Sequence, residues 1–128
     1  RALLLQARAL EELERLEEAA DIYVDLAERF PDSYLAPIAL MQAAIALEDS
    51  GAADDALAQL SRIVDEYDEV AEVPRALFSI GRIYETQDNI VEAVASYNRL
   101  IDDYPGSSWT NLARNRIITL SVEGRIGS

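Results

Sequence analysis

A recurrence every 37 residues constrains the fold of this chain more than any other feature of its sequence. Small residues keep this interval in two series, Ala7, Ala44 and Gly81, and Ala19, Ala56 and Ala93. Larger apolar residues keep it as well, including Leu3, Leu40 and Leu77, and Leu26, Ile63 and Leu100. So many matches in one register indicate repeated units that must stack on one another to bury their apolar faces.

Within each repeat, the apolar residues are spaced as in two α-helices. In the third repeat, Leu77, Ile80 and Tyr84 recur at three- and four-residue intervals, and a second such series ends at Pro105. The helices of each pair are expected to join at Glu14, at Ser50 and Gly51, and at Asp88 and Asn89. No stretch alternates strictly between apolar and polar residues, as a half-buried strand does. The pattern therefore predicts seven helices, near residues 2–12, 15–30, 34–49, 52–67, 73–87, 90–103 and 108–121.

Helix starts and helix crossings have their own signals. Pro37 and Pro74 fall in predicted first turns, where a missing backbone N–H is tolerated. Residues able to cap a helix precede or begin the third and seventh helices, at Asp32, Ser33, Ser107 and Ser108.

The two series of small residues are expected to face each other where helices cross closely. We expect Gly81→Ala to be nearly neutral there, because a gain in helix propensity balances a small loss of space, and Gly81→Leu to overpack the crossing.

These positions resemble the pattern of the tetratricopeptide repeat family, which sets small and large apolar residues along two helices and ends in proline. The third repeat carries that pattern throughout, with Leu77, Ile80, Gly81, Tyr84, Ala93, Tyr97, Leu100 and Pro105. The first repeat departs from it at Gln6 and the second at Asp68, and the step is 37 residues rather than 34.

The resemblance implies an all-α fold, a right-handed α-solenoid of three helix pairs and a C-terminal capping helix. The pairs occupy about 1–36, 37–73 and 74–107, and the capping helix about 108–121, in a single domain over 1–128. The capping helix is expected to keep Leu112, Ala113, Ile117 and Leu120 for the core and to have a polar outer face, with Arg114 where earlier repeats have leucine. Because the chain opens at Arg1 within an apolar pattern, we expect it to be a fragment of a longer protein.

The composition removes most of the residues on which enzymes rely. The chain has no histidine, no lysine and no cysteine, so the usual general base, the commonest metal ligands and a Schiff-base amine are missing. Adjacent carboxylates such as Asp54 and Asp55 belong to predicted solvent-facing surfaces rather than to an acid–base cleft. We therefore expect no enzymatic activity, no cofactor and no metal site.

The net charge of −13 narrows the class of partner. An acidic surface repels phosphate backbones and anionic lipid headgroups, so nucleic acid is not an expected partner. No apolar run approaches the roughly 20 residues of a membrane-spanning helix, so this fragment is not expected to insert into a membrane. The expected partner is a protein or peptide, and self-association is the alternative.

Residues outside the repeated core pattern are the candidates for a binding site. They lie on the first helix of each repeat, on the face that in this family lines a concave groove where partners dock. The candidates are Leu4, Arg8, Met41, Ile45, Phe78 and Arg82, with Arg75 and Arg116 expected nearby as a basic spot. We expect Met41 and Phe78 to be exposed as apolar anchors. The alternative is a packed interior for the apolar residues and salt bridges for the arginines.

The aromatic residues divide into assigned and unassigned positions. The repeat pattern explains Tyr23, Tyr84, Tyr97 and Tyr104 as packing residues. It leaves Tyr34 and Tyr67 without an assignment. Trp109, at the start of the last helix, is expected to cover the end of the third repeat, and ligand stacking is the alternative.

The resemblance implies a non-enzymatic scaffold that binds a partner segment through the concave groove, within a larger bacterial assembly. The alternative is a structural or oligomerisation module that buries the same apolar face against a second copy. The segments from Phe30 to Ser33 and from Tyr104 to Ser107 resemble cell-envelope members of the family, of the Tol-Pal-associated and outer-membrane-assembly lipoprotein types. They favour the periplasm or cell envelope as the compartment, with the cytoplasm as the alternative.

Overall fold

The computed structural model describes residues 2–12 and 15–126, and over these residues the chain is helical without a strand. The helices are α1 (Ala2–Glu12), α2 (Leu16–Arg29), α3 (Leu35–Asp49), α4 (Ala53–Glu66), α5 (Val73–Thr86), α6 (Ile90–Asp103) and α7 (Ser108–Val122). The all-α fold expected from the repeat is confirmed, and each helix boundary lies within one residue of its expected position. The expected joint at Glu14 lies outside the described residues.

The chain divides into two compact units, Arg1–Glu72 and Val73–Ser128. In the first unit α1 packs on α2, α2 on α3 and α3 on α4. In the second unit α5, α6 and α7 each pack on the other two. The division falls next to the expected boundary between the second and third repeats. The expectations of a single domain and of a longer parent chain stay predictions.

Small residues are buried at the crossings of the helix pairs, as the 37-residue series predicts. Five of the six residues in the two series, Ala7, Ala19, Ala44, Ala56 and Ala93, are at most 2% exposed. The sixth, Gly81 of α5, lies directly against the ring of Tyr97 on α6. An ideal Cβ on Gly81 would come within 2.7 Å of Cδ1 and 2.8 Å of Cζ of that ring, and closer still to Cε1.

Turns and caps follow from local chemistry. Gly51 joins α3 to α4 at a φ of +92°, and Asp88, one repeat later, joins α5 to α6 at +59°. Aspartate is among the few non-glycine residues that tolerate this left-handed conformation. The Ser107 hydroxyl accepts a hydrogen bond from the Trp109 backbone N–H at 3.2 Å, and the Ser33 hydroxyl accepts one from the Leu35 N–H at 3.1 Å. The expected cap at Ser107 is therefore confirmed, whereas the N-cap position of α3 is Tyr34, one residue after Ser33.

The expectation that Met41 is exposed is wrong. Met41 is only 3% exposed, and most of the other residues of α3 are also buried. The cause is the composition of α3, which has no basic residue and carries apolar side chains around its whole circumference. A helix of this kind lies within the protein interior rather than on a half-solvated surface.

Helix α7 covers the third helix pair but does not have a wholly polar outer face. Ala113 and Leu120 are buried and Arg114 is exposed, as expected for a cap. Leu112 is 45% exposed, so its predicted place in the core is wrong. It lies about 100° around the helix from Ala113, outside the stripe that faces α5 and α6. Two further apolar residues of α7, Ile118 and Val122, are also exposed.

The contact between Gly81 and Tyr97 changes the expected effect of Gly81→Ala. Tyr97 is completely buried, so its ring has no free space into which to move. Overpacking costs about 1–3 kcal/mol, whereas the gain in helix propensity is at most about 1 kcal/mol. We therefore expect Gly81→Ala to lower the free energy of unfolding, measured by urea denaturation, instead of being neutral.

The background variant Tyr97→Leu serves as the control, because it removes the ring that the new methyl group would meet. In that background, Gly81→Ala should destabilise less than in the parent chain. An equal loss of stability in the two backgrounds would show that the ring is not the cause.

Candidate functional site

An apolar cleft opens on the first unit, between α1 and the start of α3. It has a volume of about 250 Å³ and is lined by Leu4, Leu5 and Arg8 of α1 and by Tyr34 and Leu35. We call this set of five residues the apolar cleft. Leu4 and Arg8 are two of the predicted groove residues, and the structure brings them together here.

Two side chains of the apolar cleft are strongly exposed. Leu5 is 68% exposed and Tyr34 is 79% exposed. Leu4 and Leu35 are partly exposed beside them. Large apolar side chains grouped in one exposed concave place are typical of a binding site, because a partner gains free energy by covering them.

Arg8 is the cationic residue of the apolar cleft, and it lies close to the first buried tyrosine. Burial, followed by a hydrogen bond and a charge interaction with Glu11, raises the pKa of Tyr23 to about 12. The positive charge of Arg8 acts in the opposite direction on the same hydroxyl. Arg8 is exposed and lines the cleft, so it adds a positive charge to walls that are otherwise aliphatic and aromatic.

The second unit carries a cluster of aromatic rings around Phe78. The ring centroid of Phe78 lies 5.7 Å from that of Tyr97 and 5.5 Å from that of Trp109. The guanidinium of Arg75 lies 5.8 Å from the centroid of the Trp109 ring, within the range of a cation–π contact. Trp109 thus covers the third helix pair, as expected. Phe78 is only partly exposed, because it packs against both neighbours.

A buried carboxylate, Glu85, ties the three helices of the second unit together. It accepts a hydrogen bond from the Tyr97 hydroxyl of α6. From α7 the Arg116 guanidinium donates to both carboxylate oxygens, at 3.1 Å from Nε and 2.5 Å from the second nitrogen. The Glu85 side chain is 7% exposed and that of Arg116 38%. Arg125, after α7, donates to the backbone carbonyl of Glu85 at 3.5 Å and to the Asp88 carboxylate at 3.0 Å.

The protonation states of this cluster follow from its contacts. Burial alone would raise the pKa of the Glu85 carboxyl, but hydrogen bonds from Arg116 and Tyr97 and the charges of Arg116 and Arg125 outweigh it, so the pKa is lowered. Burial and the hydrogen bond to Glu85 raise the pKa of the Tyr97 hydroxyl. Glu85 is therefore a carboxylate and Tyr97 a neutral donor at neutral pH.

The structure places the eight predicted groove residues in different surroundings. In the first unit, Leu4 and Arg8 line the apolar cleft, Met41 is buried and Ile45 is partly buried. In the second unit, Phe78 and Arg75 contact Trp109, Arg116 is paired with Glu85, and Arg82 is partly buried and also has a partner. For Arg116 the structure therefore shows the salt-bridge alternative rather than a free basic spot.

Sequence reasoning missed Glu85 and three residues of the apolar cleft. A signal for Glu85 was present: Glu11, Glu48 and Glu85 keep the 37-residue step, and a tyrosine follows the first and third of them by 12 residues. Leu5, Tyr34 and Leu35 have no such signal, because the register matches them with unrelated residues in the later repeats.

Two structural features of the described residues bear on other classes of function. Among residues 2–12 and 15–126, no group of three or more acidic side chains is placed to hold a metal ion. In the same part of the chain, none of the helices is long and apolar enough to span a membrane.

Comparison with known proteins shows the family. Two family models described as tetratricopeptide repeat match this chain, one over residues 41–108 and the other over residues 1–33. The chain belongs to the tetratricopeptide repeat family. Repeats of this family generally mediate protein–protein interactions and are typically not enzymes.

A curated relative supports the same assignment. The chain is 34% identical over 110 residues to a TPR repeat-containing protein of Treponema pallidum (strain Nichols). The match covers 84% of this chain and 45% of the relative, so the chain spans less than half of the relative's length. The expected bacterial character is consistent with this relative, whereas the expected cell-envelope subtype stays a prediction.

The buried pair of Glu85 and Arg116 generates a stability prediction. Glu85→Gln should lower the free energy of unfolding at neutral pH by about 1–3 kcal/mol. This is less than the 3–5 kcal/mol typical of breaking a fully buried pair, because Arg116 remains partly exposed. Glu69→Gln, at an exposed carboxylate outside the helices, is the control and should change stability by less than about 0.5 kcal/mol.

The same variant has a defined pH dependence. The pKa of Glu85 is lower in the folded chain than its ordinary value, so its carboxylate stabilises the fold above the unfolded-state pKa of about 4.3. That contribution is lost as the pH falls through the folded-state pKa. The difference in stability between the parent and Glu85→Gln should be constant from about pH 6 to about pH 7. It should shrink below about pH 4, where the carboxylate becomes protonated. A constant difference down to about pH 2 would contradict the assignment.

Proposed function

We propose that this chain is a non-enzymatic scaffold that binds a segment of a partner protein in its apolar cleft. The observation that carries the proposal is the grouping of exposed Leu5 and Tyr34 with Leu4 and Leu35 in one concave place. The family assignment supports binding to protein partners in general. A partner segment bound in the apolar cleft would cover the exposed side chains of Leu5 and Tyr34.

The chemistry of the apolar cleft defines the partner segment. Aliphatic and aromatic walls favour an apolar anchor, such as a leucine or phenylalanine side chain. Arg8 at the edge of the cleft favours a carboxylate near that anchor, held by a charge-assisted hydrogen bond. A strongly acidic partner is disfavoured, since the chain itself carries a net charge of −13.

The proposal modifies the groove expected from the sequence. Leu4 and Arg8 keep their proposed role, whereas Met41 is buried and cannot be an anchor. Phe78 and Arg75 are engaged with Trp109, so we assign them to the packing of the second unit first. A place in a larger bacterial assembly, in the cell envelope, remains part of the proposal.

Self-association is the second candidate function. Exposed apolar residues such as Leu5 can be covered by a second copy of the chain as well as by another protein. Partner binding places another protein next to Leu5, whereas self-association places a second copy of this chain there. A covalent probe at position 5 distinguishes the two functions.

The experiment is photo-crosslinking with benzoylphenylalanine in place of Leu5, in a native extract of the source organism. Val91 of α6, which is 79% exposed, is the matched control position. We expect an adduct with a second protein at position 5 and none at position 91. Mass spectrometry of the adduct then identifies the bound segment.

A synthetic peptide of that segment allows the affinity to be measured directly. Leu5→Asp should weaken binding by about 30-fold, which corresponds to the loss of a good apolar anchor worth about 2 kcal/mol. Arg8→Ala should weaken it less and reduce its dependence on salt. Crosslinked adducts at both positions 5 and 91, or at neither, would contradict the proposal. An adduct made only of two copies of this chain would establish self-association.

A further inference from the structure

The two tyrosines that the repeat pattern leaves unassigned line one cleft. Tyr34 and Tyr67 stand with Pro31, Pro37 and Val70 around a space of about 450 Å³ on the first unit. The remaining lining residues are Asp32, Ser33 and Glu66. We call these eight residues the acidic cleft. Tyr34 is the wall that it shares with the apolar cleft, and the other residues of the two clefts differ.

Hydrogen bonds join the two sides of the acidic cleft. The Tyr67 hydroxyl, at the end of α4, donates to the backbone carbonyl of Pro31 at 2.8 Å. On the opposite side, the Ser33 backbone N–H donates to the Phe30 carbonyl at 3.0 Å, and the Leu35 N–H donates to the Ser33 hydroxyl at 3.1 Å. The cleft is therefore preorganised, which lowers the entropic cost of binding a ligand there.

One aromatic residue of the acidic cleft and the aromatic residue just before the cleft in sequence are exposed. Tyr34 is 79% exposed, and Phe30, which precedes the loop at Pro31, is 56% exposed. Phe30 keeps an aromatic position in the 37-residue register, with Tyr67 one repeat later and Tyr104 two repeats later. Tyr34 does not, since Ala71 and Ser108 stand at the equivalent positions. The repeat core therefore does not require an aromatic side chain at the position of Tyr34.

The electric field at the acidic cleft is negative. Burial is the largest cause of the raised pKa of Tyr67, and the charges of Glu66 and Asp32 raise it further, while Arg62 opposes them. Arg62 lies 3.3 Å from Glu66 and 3.8 Å from Glu28, so one guanidinium is shared by two carboxylates. Among the described residues, Asp32 has no arginine within ion-pair distance. The segment Asp65–Glu72 adds further negative charge, because five of its eight residues are acidic.

We propose that the acidic cleft binds an arginine-bearing segment of a partner protein, with the guanidinium between the Tyr34 face and the Asp32 carboxylate. A guanidinium stacks on an aromatic ring by a cation–π contact and also donates hydrogen bonds to a nearby carboxylate. Because prolines and tyrosines line the cleft, we expect the partner segment to be extended and to have small residues next to its arginine. This surface lies beyond the proposed function, because it selects a positive charge whereas the apolar cleft selects an apolar anchor.

The test is a nuclear magnetic resonance titration of the ¹⁵N-labelled full chain with a short glycine-spaced peptide carrying two arginines, capped at both ends. The control peptide carries citrulline, the neutral isostere, in place of each arginine. We expect saturable shifts of the backbone amides of residues 32–35 and 66–70, with a dissociation constant below about 1 mM. Leu4 and Leu5 should not shift, and the citrulline peptide should produce no saturable change.

Two variants and a charge-matched control locate the site. Asp32→Asn and Tyr34→Leu should each weaken binding about threefold, the loss typical of one exposed ion pair or cation–π contact. Asp102→Asn, at an exposed carboxylate of α6, removes the same charge elsewhere and should leave the affinity unchanged. Circular dichroism confirms that each variant is folded.

Three results would overturn the inference. Equal weakening by Asp102→Asn and Asp32→Asn would show diffuse attraction to an acidic chain rather than a site. Equal binding of the citrulline peptide would show that the charge is not recognised. An absence of saturable shifts in the acidic cleft, with the parent chain folded, would show that it does not bind arginine.

Discussion

The close approach of α5 and α6 in the second unit depends on Gly81, which has no side chain. Because no Cβ stands between the two helices, the Tyr97 ring lies directly over the α5 backbone. This position lets the Tyr97 hydroxyl reach the carboxylate of Glu85, one turn further along α5. Glu85 in turn binds Arg116 of α7, so a close backbone approach, a buried hydrogen bond and an ion pair form one connected arrangement. Changing any of the three should affect the others, since their energies are not additive.

The same arrangement appears in part elsewhere in the chain and shows how repeats diverge. In the first repeat, the Glu11 carboxylate accepts a hydrogen bond from the hydroxyl of the buried Tyr23, 12 residues further on. In the second repeat, Glu48 keeps its place but Leu60 replaces the tyrosine, so that acid–hydroxyl pair cannot form. The helical framework tolerates both versions, because the position after 12 residues needs only a large buried side chain. Tyrosine there adds a polar contact to a packing role.

The residues of the two proposed clefts, in contrast, include positions that the repeat leaves free. Leu5 and Tyr34 are exposed, and no equivalent residues recur in the later repeats. Tyr34 is the shared wall of two proposed clefts with different preferences, one for an apolar anchor near Arg8 and one for a positive charge near Asp32. A partner segment could carry both a positive charge and an apolar anchor. The negative charge of this chain would attract the cation at long range, and burial in the apolar cleft would stabilise the anchor at short range.

Sequence alone determined the helices, their boundaries, the family and the buried small residues, because these depend on helical periodicity and on a register repeated three times. The sequence also places Leu4 and Arg8 outside the core pattern, and their binding role, which the family resemblance implies, stays a prediction. Only the tertiary structure decided that Met41 is buried, that Arg116 pairs with Glu85 and that Gly81 has no room for a methyl group. Periodicity states which face of a helix a residue occupies. What that face meets depends on the neighbouring helices and on atom positions to within a fraction of an ångström, and those are set by packing in three dimensions.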